Sequence, residues 1–184
     1  MKKIYLIHGF NGYPNGGWRP WLMRELYKAK TFAVALEMPK PKAPIKDEWV
    51  AKIKEEVGEV VPDKYLVGHS LGVPAILRFL ETLNEGEKIA GAFLVSGPVD
   101  NVNIKEISNF FETPFNFEHI KKVCDKFYII HGDADSVVPF SNAEKLSKEL
   151  NAPIIKVVGA DHLGDSDGVY ELPQLLEIIL TEVR

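Results

Sequence analysis

The 184-residue sequence lacks several features that would mark special protein classes. It contains one cysteine, Cys124, so no disulfide can form within the chain, and we expect a reducing compartment and a packing role for this side chain. No stretch approaches the ~18 uninterrupted apolar residues of a membrane-spanning helix. The early apolar run, Ile4 to Ile7, is also shorter than the ~7–15 residues of a signal-peptide core. We therefore expect a cytoplasmic protein without membrane contacts.

The sequence is also poor in patterned charge and in ligand motifs. Its net charge of −4 comes from interspersed signs, so no basic stripe predicts nucleic acid as a partner. No two histidines have metal-ligand spacing, and the glycine-rich segment His8 to Gly12 lacks the spacing of a phosphate-binding loop. We expect neither metal nor cofactor, and nothing indicates a protein partner. The composition, 46% hydrophobic and 26% charged, is typical of one globular domain over residues 1–184.

Six short apolar runs bounded by turn residues predict six strands: Lys3–His8, Phe32–Met38, Lys64–Val67, Ala90–Val95, Phe127–Ile130 and Ile154–Val158. The runs are continuous rather than alternating, which is typical of parallel strands covered on both faces. Segments with helical spacing separate them, and Ser141 and Glu144 read as a capping box. This alternation predicts a three-layer α/β domain with a mostly parallel sheet, whose functional residues gather at the carboxyl ends of the strands.

The segment Gly68-His69-Ser70-Leu71-Gly72 matches G-x-S-x-G, the nucleophile elbow. Serine in such an elbow sits on a sharp strand-to-helix turn, where side chains in place of the glycines would collide with neighbouring elements. The turn exposes the Ser70 hydroxyl and directs the N–H of Leu71 at a developing oxyanion. The alternative is a Gly-Ser turn that merely links strand to helix.

A serine nucleophile needs a base and an orienting acid, and in this type of fold they follow in the order acid, then histidine. His162 lies after the sixth predicted strand and suits the base. Two acids follow the fifth strand: Asp133 is expected to accept local N–H bonds in the turn after Gly132, whereas Asp135 lies further out, within reach of a neighbouring loop. We expect His119 at the surface, and turn or packing hydrogen bonds for His8 and His131.

Two further groups of residues complete the predicted site. The oxyanion requires a second donor from the loop after the first strand, for which the backbone N–H of Phe10 is the candidate. Aromatic residues are concentrated between the fourth and fifth strands, and either they pack the sheet edge or, with Trp18, they wall a small acyl site. These residues are Phe110, Phe111, Phe115 and Phe117.

Taken together, the segments IHGF, LVGHSLG, HGDADSVVP and DHLGD resemble the α/β-hydrolase superfamily, and within it the small serine hydrolases of the retinoblastoma-binding protein 9 family. The resemblance implies a domain without a cap and a sheet of order 2-1-3-4-5-6. It also implies Ser70 as nucleophile, Asp135 as orienting acid and His162 as base. Members of that family carry a small residue and an aromatic beside the histidine, where this chain has Asp161 and Leu163, which leaves the substrate open.

Two functions from different classes fit these motifs. The first is a hydrolase of small carboxylic esters acting through an acyl-enzyme, with a small-molecule acyl substrate; an amidase, a peptidase or an acyltransferase would use the same residues. The second is a non-catalytic protein-binding module that retains the elbow. A fluorophosphonate probe separates the two classes, because it reacts with an activated serine.

Overall fold

Six parallel strands form one sheet in the computed structural model, which describes residues 2–183. The sheet order is β2-β1-β3-β4-β5-β6, and each neighbouring pair is parallel. Both the parallel arrangement and the order 2-1-3-4-5-6 confirm the prediction. The strands are β1 (Lys3–Ile7), β2 (Phe32–Ala35), β3 (Lys64–His69), β4 (Gly91–Val95), β5 (Phe127–Gly132) and β6 (Ile154–Val157).

Helices connect successive strands: α1 (Arg19–Lys28), α2 (Lys46–Val57), α3 (Gly72–Leu80), α4 (Phe117–Val123), α5 (Ser141–Leu150) and, after the last strand, α6 (Pro173–Glu182). Two 3-10 turns span Lys105–Phe111 and Asp165–Asp167. None of the helices described in residues 2–183 has the length and apolar composition needed to cross a bilayer.

The capping box predicted at Ser141 is wrong. Helix α5 begins one residue earlier than that motif requires, with Phe140 at the N-cap and no side-chain capping bond. The backbone carbonyls of Pro139 and Phe140 accept the first N–H groups of the helix, those of Asn142, Ala143 and Glu144. The Ser141 hydroxyl is therefore not needed as a cap.

The sheet separates two apolar cores, which explains why the strand sequences are continuously apolar. Leu66 of β3 belongs to the core that α2, α3 and α5 cover, whereas the next residue, Val67, belongs to the core that α1 and α6 cover. The connection from β4 to β5 contains a 3-10 turn and the short α4, both packed against α3. The resulting three-layer domain leaves the carboxyl ends of the strands accessible for a site.

Candidate active site

Ser70 occupies a strained turn between β3 and α3. Its φ of +53° lies in the left-handed region that non-glycine residues rarely adopt, and its N–H donates to the carbonyl of Val95 at 2.9 Å. A Cβ added at Gly72 would lie 2.3 Å from the carbonyl oxygen of Ile7, and one added at Gly68 would lie 2.7 Å from the backbone of Gly72. The steric reason predicted for both glycines of the motif is confirmed.

The structure brings the three predicted side chains into one hydrogen-bonded chain. Ser70 Oγ lies 2.9 Å from His162 Nε2, and His162 Nδ1 lies 2.9 Å from Asp135 Oδ2 and 3.2 Å from Oδ1. A carboxylate accepts hydrogen bonds, so the neutral imidazole carries its proton on Nδ1. Nε2 is then an acceptor facing the serine hydroxyl, which is the arrangement that a general base requires.

Asp135 is held as a buried, charged carboxylate. Its Oδ1 accepts the N–H groups of Val137 and Val138 at 2.9 and 2.7 Å. Burial by itself would raise the pKa of Asp135, but hydrogen bonds from His131, His162 and the Val138 N–H outweigh it and hold this pKa well below its usual range. Asp135 is therefore ionised and can stabilise the positive charge that develops on the His162 ring.

His131 makes a contact with Asp135 that the sequence analysis missed. Its Nε2 lies 2.9 Å from the carbonyl oxygen of Val138 and 3.2 Å from Asp135 Oδ2, in a fully buried position. Because a carbonyl only accepts, Nε2 carries the proton and is shared between the two oxygens. The turn hydrogen bond expected for His131 is present, and the same ring also holds the Asp135 carboxylate in place. The signal available in the sequence was the i, i+4 spacing of His131, in β5, and Asp135, in the loop that follows this strand.

Asp133, the other acid in this turn, makes a different contact from the one predicted. Its Oδ1 accepts the N–H of Gly159 at 2.6 Å, across to the loop after β6, while the local turn bonds are made by Asp135. The loops after β5 and β6 are in close contact because these strands are neighbours. A Cβ at Gly132 would lie 2.2 Å from the carbonyl oxygens of Ala160 and Asp161, so glycine is required where the two loops meet.

Two buried rings hold the loop that carries His162. His69 Nε2 lies 2.9 Å from the carbonyl oxygen of His162, and Trp18 Nε1 donates to the next carbonyl, that of Leu163, at 2.9 Å. Burial, assisted by the nearby His162, lowers the pKa of His69 to about 3, so the ring is neutral and donates through Nε2–H. Trp18 and His69 also meet edge to face. His69 and Trp18 therefore position His162 by holding the backbone of its loop.

The two residues that depart from the family pattern beside His162 shape this same loop. Asp161 accepts the N–H and the hydroxyl of Ser136 at 2.7 and 2.9 Å. Leu163 is buried and has a φ of +56°. Neither side chain lines the cavity at Ser70, so their effect on the site is exerted through the backbone of the loop.

Near Ser70, the backbone N–H groups of Leu71 and Phe10 have no acceptor among residues 2–183. Leu71 is at the N-terminus of α3, where the helix dipole is positive. The loop with Phe10 comes close to the elbow, since a Cβ at Gly9 would lie 2.9 Å from Ser70 Cβ. Two unsatisfied donors beside a serine hydroxyl form a candidate oxyanion hole at the two predicted positions.

His8 fixes the orientation of the Phe10 N–H. The carbonyl oxygen of Gly9 lies 2.8 Å from His8 Nδ1 and accepts the N–H of Gly12 at 3.1 Å. The Phe10 N–H belongs to the same trans peptide unit and so points in the opposite direction. The ring of His8 packs edge to face on Trp49. The turn hydrogen bond expected for His8 is thus present, and it also fixes the direction of the Phe10 N–H.

The cavity that contains Ser70 has a volume of about 460 Å³. Its lining mixes aromatic and polar side chains, including Phe10, Tyr13, Arg19, His162, Asp165 and Tyr170. None of the aromatic residues predicted to wall an acyl site between the fourth and fifth strands lines it. Tyr13 and Tyr170 were missed because they lie in loops without periodicity.

The predicted aromatic pocket is wrong. Trp18 and Phe110 are buried in the two cores, where Trp18 holds the His162 loop and Phe110 packs on Trp49. Phe111 and Phe115 line a separate cavity of about 470 Å³, together with Phe117. Arg78 of α3 binds the carbonyls of Phe110 and Thr113 and lies over the Phe115 ring, which fixes this segment against the helix.

Comparison with solved structures places this fold among the α/β hydrolases. The crystal structure of the ydeN gene product of Bacillus subtilis superimposes with a TM-score of 0.95, covering 99% of this chain and 98% of that chain. Est1E from Butyrivibrio proteoclasticus, at 17% identity, covers 99% of this chain and 85% of its own with a TM-score of 0.72, which shows a shared fold.

Sequence comparison identifies the family. YdeN of Bacillus subtilis is 30% identical over 179 residues, covering 97% of this chain and 94% of that protein. The serine hydrolase RBBP9 of Rattus norvegicus is 23% identical over 184 residues, covering 97% of this chain and 96% of its own length. The profile described as "Serine hydrolase" matches residues 4–181, and this chain belongs to that family of hydrolases.

Proposed function

We propose that the protein hydrolyses small carboxylic esters through an acyl-enzyme formed on Ser70, with His162 as base and Asp135 as orienting acid. The observation that carries this proposal is the 2.9 Å contact between Ser70 Oγ and His162 Nε2, with Nδ1 held by a buried carboxylate. A serine hydroxyl is a weak nucleophile at neutral pH unless such a base accepts its proton.

In the proposed acylation step, Ser70 Oγ attacks the ester carbonyl carbon while its proton passes to His162 Nε2. The carbonyl oxygen becomes an oxyanion, which the N–H groups of Phe10 and Leu71 stabilise. Asp135 stabilises the imidazolium that forms. The oxyanion then collapses, the C–O bond to the alcohol breaks, and His162 returns the proton to the leaving alkoxide.

Deacylation repeats the sequence with water in place of the alcohol. His162 takes a proton from water, the resulting hydroxide attacks the acyl carbon, and the ester bond to Ser70 breaks as Oγ regains a proton from His162. The free acid leaves and the starting state is restored. No cofactor enters either step, and the acyl substrate is the partner that this chemistry requires.

Esters are preferred over amides in this proposal because an alkoxide is a better leaving group than an amine. The volume of about 460 Å³ suits a small substrate, which favours short acyl chains over long lipid chains. Membership of the serine hydrolase family supports hydrolysis over a purely protein-binding role. Amidase, peptidase or acyltransferase activity would use the same residues.

A substrate panel tests the proposal. Purified wild-type protein and Ser70→Ala are assayed on esters, thioesters and amides of graded acyl length, and both melting temperatures are recorded. We expect the highest kcat/KM on short-chain esters and no turnover by the folded variant. Turnover retained in Ser70→Ala contradicts the nucleophile, faster hydrolysis of long chains contradicts the size preference, and an inactive wild type favours the binding-module alternative.

A further inference from the structure

Arg19 is a buried cation in the cavity that contains Ser70. It is 4% exposed, at the start of α1, and its side chain lines the cavity beside the catalytic candidates. Buried guanidinium groups are normally paired with a carboxylate, because an unpaired charge loses its hydration without compensation. Among residues 2–183 no carboxylate lies close enough to Arg19 to form an ion pair, and the contacts of its charge are the Trp18 ring, 5.6 Å from the guanidinium carbon to the ring centroid, and the more distant Asp165.

The hydrogen bonds of Arg19 satisfy part of the guanidinium. Nε donates to the carbonyl oxygen of Pro14 at 3.3 Å and Nη2 donates to that of Tyr13 at 3.1 Å. Nη1 donates to no group in the described part of the chain. The two neutral carbonyls hold the guanidinium rigidly, and they leave the positive charge and the Nη1 donors for a group inside the cavity.

The side chain keeps its charge in this environment. Burial lowers the pKa of Arg19 to about 10, against opposing contributions from Asp165 and Tyr13, so the guanidinium is protonated at neutral pH. Arg19 lines the same cavity as Phe10, His69 and Ser70, so its positive charge lies near both the elbow and the loop after β1.

Asp165 is the other charged group facing Arg19 in this cavity. Its carboxylate is exposed and accepts the hydroxyl of Tyr13 at 3.2 Å, so water can solvate it. Exposed charges are screened, whereas the buried guanidinium is not. A ligand carboxylate would therefore be attracted by Arg19, and the exposed, solvated Asp165 would oppose this attraction only weakly.

We propose that Arg19 selects esters that carry a carboxylate in addition to the scissile bond, with its Nη1 donating to that carboxylate. This inference rests on the proposed ester hydrolysis and specifies its substrate class. A charge-assisted hydrogen bond in a buried site predicts a preference of about 10- to 100-fold in kcat/KM over a neutral substrate of the same shape.

Two matched pairs of substrates test the inference with wild-type protein. The pair 4-carboxyphenyl acetate and 4-carbamoylphenyl acetate places the charge on the leaving group. The pair methyl 4-carboxybenzoate and methyl 4-carbamoylbenzoate places it on the acyl group. We expect the carboxylate to be preferred in at least one pair. Ratios near one in both pairs would overturn the inference even if the neutral esters are hydrolysed.

Variants locate the source of the preference. Arg19→Gln is expected to reduce the kcat/KM ratio of the preferred pair to near one, with the equally uncharged Arg19→Met as a second variant if the glutamine variant does not fold. Arg24→Gln is the matched control, because Arg24 lies on the same helix with its side chain 58% exposed and paired with Glu25, and it should leave the ratio unchanged. A ratio that survives in folded Arg19 variants contradicts the inference.

A binding measurement separates this inference from the proposed function. Calorimetry on Ser70→Ala with 4-carboxyphenyl acetate and 4-carbamoylphenyl acetate, and with the two methyl benzoates, requires no turnover. Tighter binding of a carboxylate, lost in Ser70→Ala/Arg19→Gln, supports the anion site even if the wild-type protein cleaves no ester. Equal binding within both pairs rejects the anion site whatever the activity.

Discussion

Replacing Asp135 with asparagine tests the orienting acid with little change in shape. In the native site Oδ1 accepts two backbone N–H groups, those of Val137 and Val138, while Oδ2 faces the ring nitrogens of His131 and His162. An asparagine oxygen should keep the two backbone bonds, because an amide nitrogen there would oppose two donors. The new NH₂ group would then face both rings.

This orientation forces the wrong tautomer on His162. Facing a donor, Nδ1 must become an acceptor, so the proton moves to Nε2, and Nε2 then points an N–H at Ser70 instead of accepting its hydroxyl proton. The precedent in serine proteases is a loss of about 10⁴-fold in kcat. At about 1.36 kcal/mol per factor of ten, this corresponds to about 5.4 kcal/mol on the activation barrier.

The assay measures kcat, KM and melting temperature for wild type, Asp135→Asn and Asp133→Asn on a short-chain aryl ester. Asp133→Asn is the matched control, because it keeps an oxygen that can accept the Gly159 N–H and has no contact with His162. We expect Asp135→Asn to lose most of its kcat and Asp133→Asn to keep it. A folded Asp135→Asn variant with more than about a tenth of the wild-type kcat would refute this reasoning.

Three further predictions follow from the same contacts. The kcat/KM for a neutral ester should fall towards acid pH, because a protonated His162 cannot accept the serine proton, and a flat profile with chemistry rate-limiting would contradict the base. His69→Phe removes the donor to the His162 carbonyl, so kcat should fall about 10- to 100-fold with KM little changed; equal changes in both would argue against positioning. The pKa of His69 is about 3 in the folded protein and ~6.5 in the unfolded chain. Between these two pH values the unfolded chain binds a proton at His69 that the folded protein does not bind. The free energy of unfolding of the wild type, measured in urea, should therefore decrease as pH falls from about 6.5 towards 4, and more steeply than that of His69→Phe.

The strands could be predicted from sequence because both faces of the sheet are buried. Continuous apolar runs identify all six, although β2 ends at Ala35 rather than Met38. Strand β3 continues beyond Val67 to His69 because the backbone of the elbow still pairs with β4. The short helix α4 was missed because its seven residues carry too little periodicity to identify.

The candidate site was predictable where short motifs fix a backbone geometry. The glycines around Ser70 encode a turn, and parallel strands carry the loops with Asp135 and His162 to the same edge. Hydrophobicity, by contrast, does not say which cavity an aromatic ring lines, and so the assignment of Phe110 failed. The contact of His131 with Asp135 likewise depends on how the turn after β5 folds, which their i, i+4 spacing alone does not encode.

The central claim is that Ser70 is an activated nucleophile, and fluorophosphonate labelling followed by peptide mapping tests it most directly. Native wild-type protein should gain one covalent adduct, located on Ser70, whereas Ser70→Ala and heat-denatured wild type should gain none. The reason is that the hydroxyl reacts only when His162 Nε2, 2.9 Å away in the folded protein, can take its proton. Absence of labelling in folded wild type, or an adduct on a different residue, would contradict the account.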